Sequence, residues 1–162
     1  MSKINLMMLM LLLAFFGCGK KAQEDALERA IEKKSGGKAD IDLSEGNINI
    51  ETEDGSVSIN TGKGARLPDG FSPDVYVYKG AEVVMSMDIP GGNLVTLSTG
   101  DDAKTVMDSY KKELTAKGWV KTGGMDRGDQ NIYMAEKGSR RINVMAISIE
   151  GATQIRITVA EK

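Results

Sequence analysis

From residue 39 to residue 64 the chain reads ADIDLSEGNINIETEDGSVSINTGKG, and nearly every second residue up to Ile59 is apolar. A period of two is that of a strand, whose successive side chains point to opposite faces, and it excludes a helix over this stretch. Two-residue turns at Glu45-Gly46 and Asp54-Gly55 fit hairpin chemistry. With those turns Leu43 faces Ile48, Ile41 faces Ile50, Thr52 faces Val57 and Ile50 faces Ile59. The large apolar residues then share one face of a three-stranded β-meander, and the register is self-consistent. The opposite face carries Asp40, Asp42, Asn47, Asn49, Glu51, Ser56, Ser58 and Asn60. Clustered carboxylates suit hard cations, but these are splayed along strands without the spacing of a calcium loop. The expectation is a solvated sheet face kept soluble by charge.

A second unit follows a Gly- and Pro-punctuated connector at residues 63–74. Val75 to Tyr78 is a short apolar stretch, residues 82–89 alternate, Pro90-Gly91-Gly92 turns the chain, and 93–99 return as a strand. Residues 101–117 read as the clearest helix, with Ala103, Val106, Met107, Tyr110 and Leu114 at helical spacing. Thr99 with Asp102, or Asp101, supplies the N-cap, and Gly118 the C-terminal stop. Strands are expected from Trp119, at 132–137, at 141–149 and at 154–160, with a polar loop at 125–131. Consecutive strands on short turns pair antiparallel. The expected fold class is α+β: an antiparallel sheet covered on one face by a single helix, preceded by a short helix and the meander.

The chain opens MSKINLMMLMLLLAFFGCGKK. The apolar run from Leu6 to Phe16 spans about 16 Å as a helix, too short for a hydrocarbon core of about 30 Å. It suits a secretory signal and is left out of the fold; the competing reading is a buried N-terminal helix. Cys18, the only cysteine, ends it. Gly17-Cys18 resembles the lipobox of bacterial lipoproteins, in which the cysteine takes a diacylglyceryl thioether and the signal is cut before it. Phe15 and Phe16 depart from that family's usual aliphatic and small residues. A free thiol or an intermolecular disulfide is the competing reading of Cys18. Residues 23–35 read as a helix, acidic residues leading and basic ones trailing, with a narrow stripe of Leu27, Ala30 and Ile31 and a stop at Gly36-Gly37. The expected organisation is 1–17 signal peptide, 18–38 tether and short helix, 39–62 meander, 63–74 connector and 75–162 α+β domain.

LPDGFSPDVYVYKGA, from Leu67 to Ala81, and SYKKELTAKGW, ending at Trp119, resemble small prokaryotic envelope lipoproteins that carry a domain of unknown function. Their pattern runs L-P-x-G-F-P-x-D-V-P-V-Y-x-G-A, then Y-x-x-x-L-x-x-x-G-W. Here Ser72 and Tyr76 stand where that pattern has proline. The resemblance implies a fold and a location and carries over no catalytic residue.

Composition narrows the chemistry. The chain has 162 residues, a net charge of -2 and no histidine. Weak net charge argues against nucleic acid as a partner, and the missing histidine removes the commonest general base and metal ligand. No G-x-S-x-G motif stands in the mature chain. Catalytic residues, metal ligands and cofactors are therefore expected to be none. Asp101, Asp102 and Asp108 are read as helix-capping and surface residues, Arg140-Arg141 as a solvated turn, and the Arg-Gly-Asp within 125–131 as a chance tripeptide. Tyr110, Leu114 and Trp119 are read as packing together over the sheet. Met85, Met87, Met107, Met134 and Met145 are read as adaptable core filler. The site residue to which a role is assigned is Cys18, for lipidation. The expected function is a non-catalytic, membrane-anchored envelope lipoprotein. Its partners are the membrane, through the N-terminal lipid, and an envelope protein or cell-wall component. Gly19, not aspartate, follows Cys18; by resemblance to the lipoprotein sorting rule of many two-membrane bacteria, that favours the periplasmic face of the outer membrane. The alternative is a carboxylate-based hydrolase or a hydrophobic-ligand carrier.

Overall fold

The computed structural model describes residues 20–35, 37–42, 45–52 and 55–162; Cys18, the apolar run before it and Leu43 lie outside them. Helix α1 (Lys20–Ser35) leads into β1 (Lys38–Asp42), β2 (Asn47–Thr52) and β3 (Gly55–Thr61). A 3-10 turn at Gly62–Gly64 and a long loop come before β4 (Glu82–Ile89) and β5 (Gly92–Thr99). Helix α2 (Ala103–Ala116) carries the chain to β6 (Val120–Arg127), β7 (Gln130–Lys137), β8 (Arg140–Ile149) and β9 (Ala152–Glu161). The strands form one antiparallel sheet in the order β1-β2-β3-β4-β5-β9-β8-β7-β6. The class is α+β.

Two finer expectations change. The first three strands pair in sequence order but do not stand apart as a three-stranded unit: β3 continues onto β4, with Ile59 opposite Met87. Nor does a single helix cover the sheet: α2 packs chiefly on β7 and β8, while α1 lies along β1.

The register of the first strands also differs. Ile41 lies opposite Ile48, Ile48 opposite Ile59, Ile50 opposite Val57 and Thr52 opposite Gly55. Each hairpin is displaced by two residues from the expected pairing, and a slip of two keeps every side chain on its face. Gly46 shows the cause. It is not at a turn apex but continues the β2–β3 ladder, its carbonyl accepting from the Thr61 amide at 2.8 Å. Its φ is +74° and a Cβ there would strike Thr61, so this position requires glycine.

Helix α2 starts where Asp102 accepts from the Thr105 amide at 2.9 Å. It ends in a Schellman motif: Gly118, at φ +85°, donates to the Thr115 carbonyl, and Trp119 N–H to that of Leu114. Val106, Met107, Tyr110 and Leu114 are then buried against Val95, Leu97, Tyr133, Ala135, Ile142, Val144, Ile155 and Ile157, with Trp119 in the same cluster. Of the five methionines expected to fill the core, Met107 alone belongs to it; Met85, Met87 and Met145 are half-buried and Met134 is exposed. The four sit on strand positions that point away from α2, where side chains from one strand layer alone cannot enclose them. The expected loop at 125–131 is instead a tight hairpin. β6 runs to Arg127, β7 starts at Gln130, and Asn131 reaches back to the Gly128 carbonyl at 3.0 Å.

The apolar side of the sheet changes along its width. From β5 to β7 it is the α2 side, through Val95, Ile157, Val144 and Tyr133. From β1 to β4 it is the other side, through Ile41, Ile48, Ile59 and Met87. On the α2 side those strands carry Asn49, Ser58 and Asp88 instead. A polar field thus lies beside the hydrophobic core on one continuous surface.

Candidate functional site

The polar field is walled. After the 3-10 turn, residues 65–69 fold over it, enclosing a cavity of about 170 Å³. Asn47, Asn49, Ser58, Asn60 and Asp88 form the sheet side, and Arg66, Leu67, Pro68 and Asp69 the loop side. A neighbouring hollow of about 570 Å³ shares Asn47, Asn60 and Arg66 and adds Glu45, Thr61 and Lys63. Together they make one groove. The surface expected to be a bare solvated face is therefore concave, which strand periodicity cannot show because the wall comes from a loop.

Hydrogen bonds orient the lining. Ser58 Oγ donates to Asn49 Oδ1 at 2.8 Å, Asn93 Nδ2 to Asp88 Oδ1 at 2.7 Å, and Asn47 Nδ2 to Glu45 Oε2 at 3.4 Å. Lys63 and Arg66 face Glu45, Asp69 and Asp88, so neither sign dominates. Amides and hydroxyls that both donate and accept, with nearly balanced charge, suit a polar or dipolar ligand better than a bare ion. Among the described residues no three His, Cys, Asp or Glu side chains gather to hold a metal.

The wall is fixed from its far end. Beyond Pro68 the loop turns through Phe71 N–H to the Pro68 carbonyl and Val75 N–H to that of Ser72. Asp74 then binds Arg140 with both oxygens, Nη2···Oδ2 2.6 Å and Nη1···Oδ1 3.1 Å. It also binds Lys137 Nζ at 2.7 Å and the Ser72 hydroxyl at 2.7 Å. The Arg140 guanidinium sits 5.2 Å from the Trp119 ring, and Trp119 Nε1 donates to the Asp74 carbonyl at 3.0 Å. Arg140 and its partners hold the Asp74 carboxyl well below the usual carboxylate range, against the opposing effect of burial. This latch joins the loop to the starts of β6 and β8 and the end of β7. Arg140, read from sequence as part of a solvated turn, is its centre; Arg141 beside it is exposed. The sequence signal for Asp74 was the resembling L-P-x-G-F pattern, whose aspartate this is.

Tyr78 is buried and its hydroxyl donates to Asp101 Oδ2 at 2.7 Å, which pushes its pKa up to about 12. Tyr76 meets Tyr78 and Tyr110 edge to face at 6.4 and 5.2 Å between centroids, and Tyr78 stacks on Tyr110 at 6.4 Å, pinning the second half of the loop to α2. Asp102 is the α2 N-cap, and Asp108 pairs with Lys104 at 2.8 Å and with Lys111 at 3.4 Å, so the aspartates of this helix do not converge. Cys18 lies outside the described residues, and among those residues no helix is long and apolar enough to cross a membrane.

The family described as START domain-like matches residues 82–155, a little under half of the chain. The match runs from β4 through α2 into β9 and so covers the core-forming part of the sheet. The groove lies mostly before it, entering it at Asp88. No curated protein and no solved structure matches the chain.

Proposed function

We propose that this chain is a lipid-anchored lipoprotein of the cell envelope whose N-terminal strands bind a polar envelope component. The observation that carries the binding reading is the walled groove around Asn47, Asn60 and Arg66. The anchor rests on the lone Cys18 at the end of the apolar run; several acyl chains there hold stably where one holds marginally. In this reading 1–17 is the removed signal, 18–38 the tether, 39–62 the meander that carries the sheet side of the groove, 63–74 the connector that walls it, and 75–162 the α+β support. Gly19 after the cysteine favours the periplasmic face of the outer membrane.

Two experiments test the two parts. Palmitate labelling with membrane fractionation should mark the wild type and not Cys18→Ala; an unlabelled wild type, or an Ala variant that stays on the membrane, refutes the anchor. In-cell crosslinking with mass spectrometry should recover a cell-wall fragment or one envelope protein from the wild type and lose it in Asn60→Ala/Arg66→Ala. Equal recovery from both chains refutes the groove.

A second reading, a hydrophobic-ligand carrier, is favoured by the START domain-like match. Against it, the space between α2 and the sheet is filled by side chains: Val106, Tyr110, Leu114, Ile155 and Ile157 are all 0% exposed. Saturable binding of a fluorescent fatty acid that responds to Leu114→Ala would favour the carrier.

A further inference from the structure

Strand β1 is a free edge of the sheet, and its outward amides are occupied by side chains. The Ile41 N–H donates to Glu28 Oε1 at 2.9 Å and the Ala39 N–H to Glu32 Oε1 at 3.3 Å. Glutamates four apart rise about 6 Å along a helix, and residues two apart about 6.8 Å along a strand, so the pair meets alternate amides. The two carboxylates occupy the places of carbonyls from a neighbouring strand. The apolar stripe of α1 is only partly covered: Leu27 is 40% exposed, Ala30 is exposed and Ile31 is half-buried.

We propose that α1 is a displaceable guard, and that β1 takes an extended segment of a partner protein as a tenth strand. Strand alternation sets that segment's chemistry. Residues beside Ala39 and Ile41 meet the apolar side of the sheet, and residues beside Asp40 and Asp42 meet the acidic side. The fitting partner alternates apolar and basic residues. This surface is separate from the groove and does not depend on the lipid anchor.

The probe is a fluorescein-labelled seven-residue peptide of alternating valine and lysine, titrated by anisotropy into the full-length chain. Glu28→Ala/Glu32→Ala should bind it about tenfold more tightly than the unsubstituted chain. Adding Ala39→Pro, which deletes one outward amide but no ladder bond to β2, should abolish the gain. No gain, a gain that survives Ala39→Pro, an equal gain for a valine–glutamate peptide, or dimerisation of the variant through the edge would each overturn the proposal. In the unsubstituted chain the Ala39 and Ile41 amides should exchange with solvent deuterium well before the Val95 amide. Exchange of all three at one rate means that α1 does not lift and overturns it as well.

Discussion

Asp74 and Arg140, 66 residues apart, form a two-pronged ion pair at 2.6 and 3.1 Å with both side chains more than three-quarters buried. The pair closes the long loop onto the sheet. Removing the carboxylate leaves Arg140 and Lys137 without their shared partner, and a lost hydrogen bond to a charged group costs about 1.5 to 3 kcal/mol. Asp74→Ala should therefore lower the unfolding free energy by about 3 kcal/mol in urea. Lys137→Ala should cost less, because Arg140 keeps its bidentate contact.

The same pair sets an acid limit. Asp74 is held below the ordinary carboxylate value, so in acid the unfolded chain takes up a proton that the folded chain refuses. Its contribution is complete above about pH 5, begins to fall near the unfolded value of about 3.9 and is lost as the pH drops through the lower folded value. Asp102 and Asp108 are lowered too and act with the same sign. Asp74→Asn should be less stable at neutral pH and should decline less steeply toward pH 2. Parallel acid limbs for the two chains would show that the latch does not set the limit.

Tyr78 gives an alkaline counterpart. Its pKa, raised to about 12 chiefly by the hydrogen bond to Asp101, favours the neutral phenol in the folded state. That stability is present below the unfolded value of about 10 and is lost as the pH rises toward 12. Ultraviolet titration should find two late-ionising tyrosines, Tyr78 and the buried Tyr110, and Asp101→Asn should bring only one of them down.

Two glycines separate backbone strain from collision. Both have positive φ, but a Cβ on Gly118 would meet only the end of Lys137, at 3.8 Å, whereas one on Gly46 would strike the Thr61 backbone. Gly118→Ala should cost about 1 kcal/mol. Gly46→Ala should cost more and should also disturb Asn47 and Thr61, read as new shifts in their amide resonances.

Much of this architecture could be read from residue order. Alternation located β1 to β5, the spacing of Val106, Tyr110 and Leu114 located α2, and Gly118 its end. The faces of the first strands were legible even though their register was not, because a displacement of two residues leaves period-two patterning unchanged. The candidate site was less legible. Asn47, Asn49, Ser58 and Asn60 were grouped correctly on one face, yet nothing local says that Arg66 and Asp69 stand over them. Arg140 looked like half of a charged turn because its partner is far away in the chain.

What the sequence determined by itself is what neighbouring residues decide: strand and helix periods, caps, turns, and a lone cysteine behind an apolar run. Tertiary structure alone decided that β9 lies between β5 and β8, joining both halves in one sheet. It also decided that the sheet's apolar side changes between them, and that Asp74 pulls the loop into a wall. Those outcomes depend on which distant surfaces bury apolar area and pair charge together, a property of the closed chain that no local window contains.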